Sequence, residues 1–115
     1  MRFEYVSGAV NLFPFDPIDV TVLNHGATKE SVHIQIFGVT ATGSQLLADS
    51  GLTEVPPNGI AGASLPVETA GNYWVQIHAS SEFLIPSAKF TLKGVSPTTY
   101  LPRDFVAFES RRPRR

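Results

Sequence analysis

Between Ile18 and Gly38 the chain reads I-D-V-T-V-L-N-H-G-A-T-K-E-S-V-H-I-Q-I-F-G, two alternating runs around a polar break. Ile18, Val20 and Val22 share one side of the first run, and Val32, Ile34 and Ile36 share one side of the second. A period of two with β-branched residues on one side marks half-buried strands, because successive side chains on a strand point to opposite faces. Asn24-His25-Gly26 supplies turn residues able to take positive φ between the two runs. A helix cannot bury this pattern on one side, so the stretch commits this part of the chain to a sheet.

The rest of the chain continues in the same style. Nine glycines and nine prolines in 115 residues punctuate short strands rather than long helices. The sequence predicts seven or eight strands. Phe3 to Val6 is the first, followed by a loop through Pro14 and Pro17; Ile18 to Asn24 and Ser31 to Phe37 follow. Gln45 to Ala48 and Leu52 to Val55 are short candidates split by Asp49-Ser50-Gly51. After the turn Pro56-Pro57-Asn58-Gly59, residues Ala61, Ala63, Leu65 and Val67 alternate, and Pro66 points to an edge position. Tyr73 to Ala79 is the clearest later strand, Ala88 to Lys93 alternates again, and Asp104 to Phe108 is a last short candidate. Turns at this spacing imply an antiparallel sandwich or small barrel. The expected core is Val20, Val22, Ile34, Ile36, Tyr73, Val75, Ile77, Phe90 and Leu92.

The length suits one domain, read as residues 1–110 with a basic tail at 111–115. Four of the nine basic residues lie in that tail, R-R-P-R-R, which leaves five basic against ten acidic residues in the body. A mildly acidic body is not an expected nucleic-acid-binding surface. No apolar run approaches the roughly 20 residues of a membrane-spanning helix. The opening residues Met1 to Val6 show no signal-peptide core, so the default expectation is the cytoplasm. There is no cysteine, which removes disulfides, thiolate metal sites and thiol catalysis.

The run Thr69-Ala70-Gly71-Asn72-Tyr73-Trp74-Val75 resembles the entry to the F strand of immunoglobulin-like domains. The resemblance implies that Tyr73 is a corner tyrosine whose hydroxyl bonds to upstream backbone. It also implies that Val75 stands where antibody domains carry a cysteine, facing Val20 or Val22. Both cysteines are absent, and Ile34 or Ile36 stands in place of the buried tryptophan. The resemblance is therefore to the broad architecture, as in fibronectin-type and bacterial surface or accessory modules. The order V-x-V-x-N-x-G, an alternating strand, a P-N-G turn and Y-x-V-x-I is also similar to small uncharacterised bacterial sandwich proteins. It spans residues 18–93 and implies an all-β, immunoglobulin-like antiparallel β-sandwich.

Chemistry is scarce in the sequence. No G-x-S-x-G nucleophile motif, no phosphate-cradling glycine loop and no D-x-D-x-D-G calcium loop occurs; Asp16, Asp19 and Asp49 invite a calcium reading, against which stands that of plain solvated acids. His25, His33 and His78 lack any H-x-x-x-H spacing. His33 and His78 become cross-strand neighbours if their strands pair; a two-histidine site with a distant carboxylate is then the alternative to plain solvent-facing histidines. The expectation is a non-enzymatic domain without catalytic residues, cofactor or metal.

Strand parity singles out one surface. With Tyr73, Val75 and Ile77 inside, Trp74, Gln76 and His78 face out; with Val32, Ile34 and Ile36 inside, His33, Gln35 and Phe37 face out. An immunoglobulin-like sheet adds Lys89, Thr91 and Lys93 to the same face. The result is a candidate binding surface of Trp74, Phe37, His33, His78, Gln35 and Gln76. Its expected occupant is a protein partner, including a second copy of the chain, with carbohydrate as the alternative. A competing arrangement folds Tyr100, Phe105 and Phe108 over the aromatics. The arginine tail has no apolar surface to bury. Deleting residues 111–115 should leave the melting temperature nearly unchanged; a loss of several degrees would show that the tail docks on the acidic body.

Overall fold

The computed structural model describes residues 3–12, 17–90, 98–100 and 105–109. They form ten strands and no helix: β1 (Phe3–Val6), β2 (Val10–Leu12), β3 (Pro17–Asn24), β4 (Glu30–Thr40), β5 (Gly43–Val55), β6 (Ile60–Pro66), β7 (Gly71–Ala79), β8 (Leu84–Phe90), β9 (Thr98–Tyr100) and β10 (Val106–Glu109). One sheet has the order β10-β1-β7-β4-β5, with β2 also on β7; the other has the order β6-β3-β8-β9. Every pairing is antiparallel.

Alternation decides what lies between the sheets. β4 buries Val32, Ile34, Ile36 and Gly38, and β7 buries Tyr73, Val75, Ile77 and Ala79. From the second sheet come Ile18, Val20 and Val22 of β3, with Leu84, Pro86, Ala88 and Phe90 of β8. Eight of the nine expected core residues are among the buried ones; the ninth, Leu92, lies outside the described residues, as does the tail. Pro66 lies on an edge strand, as its missing N–H requires.

Three expectations are corrected. The described residues hold ten strands, because Val10–Leu12 and Thr98–Tyr100 pair as short strands that loop-like prolines and glycines conceal. The two short candidates around Asp49-Ser50-Gly51 are one strand, β5, carrying bulges against β4 between His33/Gln35 and Ile36/Phe37. Gly51 at φ 68° accommodates the first bulge, and the Ile34 N–H donates to Ser50 Oγ at 2.9 Å. Finally, Asn24 and Gly26 do not adopt positive φ; among the described non-glycine residues only Asn58 does, at 61°.

Asn24 instead joins the two sheets. It is fully buried at the end of β3. Its side-chain amide donates to the carbonyls of Val55 and Thr28, each at 2.9 Å, and its Oδ1 accepts from the Gly26 N–H at 2.9 Å. Its backbone N–H donates to the Gly59 carbonyl at 2.9 Å, and its carbonyl accepts from Asn58 N–H at 2.7 Å. The Pro56–Gly59 turn, where the chain crosses from β5 to β6, is thus tied to β3. Asn24→Ala would orphan the buried Val55 carbonyl, which costs about 1–3 kcal/mol, and would remove the part-buried bonds to Thr28 and Gly26. Urea unfolding should show a loss of at least about 2 kcal/mol for this variant, whereas His25→Ala, on an exposed residue, should change little.

Candidate functional site

The pairing of β4 with β7 sets Phe37 opposite Trp74, Gln35 opposite Gln76, and His33 opposite His78. All six face away from the core, and all are half-buried. The sequence-derived surface is therefore assembled as three adjacent rows across the middle of one sheet.

The first row is aromatic. The rings of Phe37 and Trp74 stack with centroids 4.3 Å apart and planes 11° from parallel. The indole N–H donates to Ser44 Oγ at 2.9 Å. Ser44 belongs to β5, so the indole spans β4 and fastens three strands. One face of each ring is spent on the other, which explains why neither ring is fully exposed. Val39, two residues beyond Phe37 on β4, is 48% exposed, and Leu46, opposite Phe37 on β5, is 44% exposed. These four residues form a contiguous apolar patch.

The other rows are polar. Asp49 on β5 accepts from the Gly51 N–H at 2.8 Å, bonds the His33 imidazole through Oδ1, and takes the Gln35 amide at 3.4 Å. On the far side, Gln76 donates to Glu4 Oε1 at 2.6 Å, and His78 Nδ1 lies 3.7 Å from Glu4 Oε2. The two imidazoles are neighbours, with centroids 6.0 Å apart and planes tilted by 45°. The row runs Asp49, His33, His78, Glu4 over β5, β4, β7 and β1.

Lys89 is not part of this face. β8 pairs with β3, so Lys89 stands opposite Asp19 in the other sheet, while Thr91 and Lys93 lie outside the described residues. The strand beside β7 is β1. Alternation fixes which side of a strand faces the core but not which strand is its neighbour, so the local pattern left this open. Glu4 thus stands where a lysine was expected. It had no sequence signal; Asp49 had one, in the D-S-G bulge chemistry. Ser44 and Leu46 were also missed, because β5 breaks its alternation at two bulges, and Val39 because β4 runs on to Thr40, past the expected strand end at Phe37. The C-terminal segment does not lie across the aromatics where it is described: β9 extends one sheet beside β8, β10 extends the other beside β1, and Phe105 is in the core.

At one end of the sandwich a cleft of about 330 Å³ is lined by Leu47, Leu65, Pro66, Val67, Glu68, Thr69 and Tyr73. The Tyr73 hydroxyl donates to the Thr69 carbonyl at 2.5 Å, the upstream backbone bond expected of it. Among the described residues of this lining Glu68 is the only acid and there is no histidine, so they offer no acid–base pair.

The Asp49 carboxyl is held below its usual range, first by the Gly51 N–H and then by His33. Its folded pKa lies below its unfolded value of about 4. Its stabilising contribution is therefore complete above that value and is lost as pH falls through the folded pKa. A carboxyl NMR titration should place the Asp49 midpoint below the usual range. His33→Ala should raise it only partway, because the Gly51 N–H remains. An unshifted midpoint in the parent protein would contradict this geometry.

No protein-family model and no curated protein matches the chain. Among described residues no helix is long and apolar enough to cross a membrane. The chain is similar in structure to a Thermotoga maritima protein, Thermotoga maritima 1070, solved by crystallography. The TM-score is 0.60 at 9% identity, covering 87% of this chain and 90% of the other. At that identity the likeness shows a shared fold alone.

Proposed function

We propose that the domain is a non-catalytic binding module that uses the outer face of the β5-β4-β7-β1 sheet, with a protein partner as its occupant and a second copy of the chain as the first candidate. The observation that carries this is the Phe37–Trp74 stack flanked by exposed Val39 and Leu46. An aromatic and aliphatic centre beside a hydrogen-bonded polar margin is the anatomy of a protein interface. Each 100 Å² of apolar surface removed from water there would contribute about 2.5 kcal/mol. The non-catalytic reading is supported by the site's shape: its histidines and acids engage one another on an open sheet face.

Carbohydrate is the second reading. A sugar needs an aromatic face to lie on, and one face of the indole is already taken by Phe37. That favours protein over sugar. An immunoglobulin-like assignment is also part of this proposal. The Tyr73 bond to Thr69 supports it, while β1 beside β7 and β8 beside β3 depart from the arrangement expected of it.

Sedimentation velocity and a glycan array test the proposal together. The parent chain should sediment as more than one chain. Leu46→Asp should return it to a single chain with the melting temperature nearly unchanged, and Trp74→Ala should weaken association by at least tenfold. A single-chain parent that binds glycans through Trp74 would replace this reading with the second. A Trp74→Ala variant that fails to fold while Leu46→Asp associates normally would make the aromatic pair structural.

A further inference from the structure

We propose that His33 and His78 form a two-imidazole site for a borderline divalent transition ion such as zinc, nickel or copper. This does not rest on the proposed partner. The two residues are direct cross-strand partners on β4 and β7, in the centre of their sheet. Their ring centroids are 6.0 Å apart. Two imidazoles sharing one ion, each nitrogen about 2.0–2.1 Å from it, place their centroids roughly 5–6 Å apart. The observed spacing is at the upper end of that range, so small side-chain rotations close it.

The second observation is how the rings are held. His33 bonds Asp49 through Nε2, and His78 lies against Glu4 through Nδ1. The two carboxylates sit on β5 and β1, outside the histidine-bearing strands β4 and β7. The nitrogens of one imidazole point to nearly opposite sides of the ring. With Nε2 of His33 engaged toward β5, its Nδ1 is directed away from β5; with Nδ1 of His78 engaged toward β1, its Nε2 is directed away from β1. Neither Nδ1 of His33 nor Nε2 of His78 has a hydrogen-bond partner among the described residues. For His33, a carboxylate on one nitrogen and a free second nitrogen is the arrangement that orients a ligating histidine; for His78, Glu4 stands at ion-pair distance, 3.7 Å from Nδ1. The carboxylates are themselves fixed, Asp49 by Gly51 and Gln35 and Glu4 by Gln76.

Among the described residues no group of three or more His, Cys, Asp or Glu side chains converges to hold a metal. The site therefore supplies two ligands and leaves the remaining positions to water or to a partner's groups. With no cysteine in the chain, the donor set is imidazole, which suits zinc, copper and nickel over magnesium or calcium.

Isothermal titration of the intact chain with zinc chloride and with nickel chloride, in a buffer that does not chelate, tests this. The expected result is saturable binding of one ion per chain, weakened at least tenfold by His33→Ala or His78→Ala. Asp49→Asn should weaken it about 10- to 100-fold, and His25→Ala should leave it unchanged. Substoichiometric copper(II) should broaden the His33 and His78 ring resonances of the unaltered protein before those of His25, a readout that needs no variant to fold. Absence of saturable binding up to millimolar metal, binding that survives the His33→Ala/His78→Ala double variant, or equal broadening of all three histidines would overturn the proposal.

Discussion

The register between β4 and β7 is the constraint on which the rest of the molecule depends. These strands lie side by side in the middle of their sheet, with Ile34 opposite Ile77 and Ile36 opposite Val75. A slip of one residue in either strand would turn its apolar set outward and bury Phe37 and Gln35 or Trp74 and Gln76. Burial of the inner set therefore fixes the outer one. Aromatic beside aromatic, amide beside amide and imidazole beside imidazole follow from the packing of aliphatic side chains on the opposite side of the sheet.

The neighbours of this central pair then set its chemistry. β5 brings Asp49 to His33 and Ser44 to the indole; β1 brings Glu4 to His78 and Gln76. Where the ladder lapses after β1, Ser7 continues it: its N–H donates to the Val75 carbonyl at 2.9 Å, and its Oγ accepts from the Val75 N–H at 2.8 Å. β7 stays hydrogen-bonded through that gap. On the other flank, Gly38 lies under Leu47, and a Cβ there would come within 2.8 Å of the leucine Cδ1. The bulge that carries Leu47 and the missing side chain at Gly38 thus fit one another.

The sandwich needs its two sheets held together at the crossing from β5 to β6, and Asn24 does this from a fully buried position. A buried amide is tolerated only when its donors and acceptor are matched, and here they are. Asn58, in the left-handed region within the crossing turn, presents the N–H that the Asn24 carbonyl accepts. The polar centre of the fold is thus separate from the polar rows of the outer face, so substitutions on that face can be read for binding without dismantling the junction.

The sequence by itself determined the all-β class, the inner and outer sides of β3, β4 and β7, and the six outward residues on β4 and β7; of β8 it reached only Ala88 to Phe90, because the strand starts at Leu84, four residues before the expected Ala88. These rest on period-two alternation, which is local and survives in any sheet. It did not determine the sheet neighbours. Pairing β1 with β7 and β8 with β3 joins residues some 70 positions apart, and nothing in a local pattern encodes such a contact. The bulges of β5 hid one continuous strand, because each inserted residue resets the alternation by which strands are recognised. Asn24 read as turn chemistry, whereas burial made it a junction. Only the tertiary structure could put Glu4 and Asp49 at the two ends of the histidine row, because carboxylates 45 residues apart in the chain meet that row through the order of strands in the sheet.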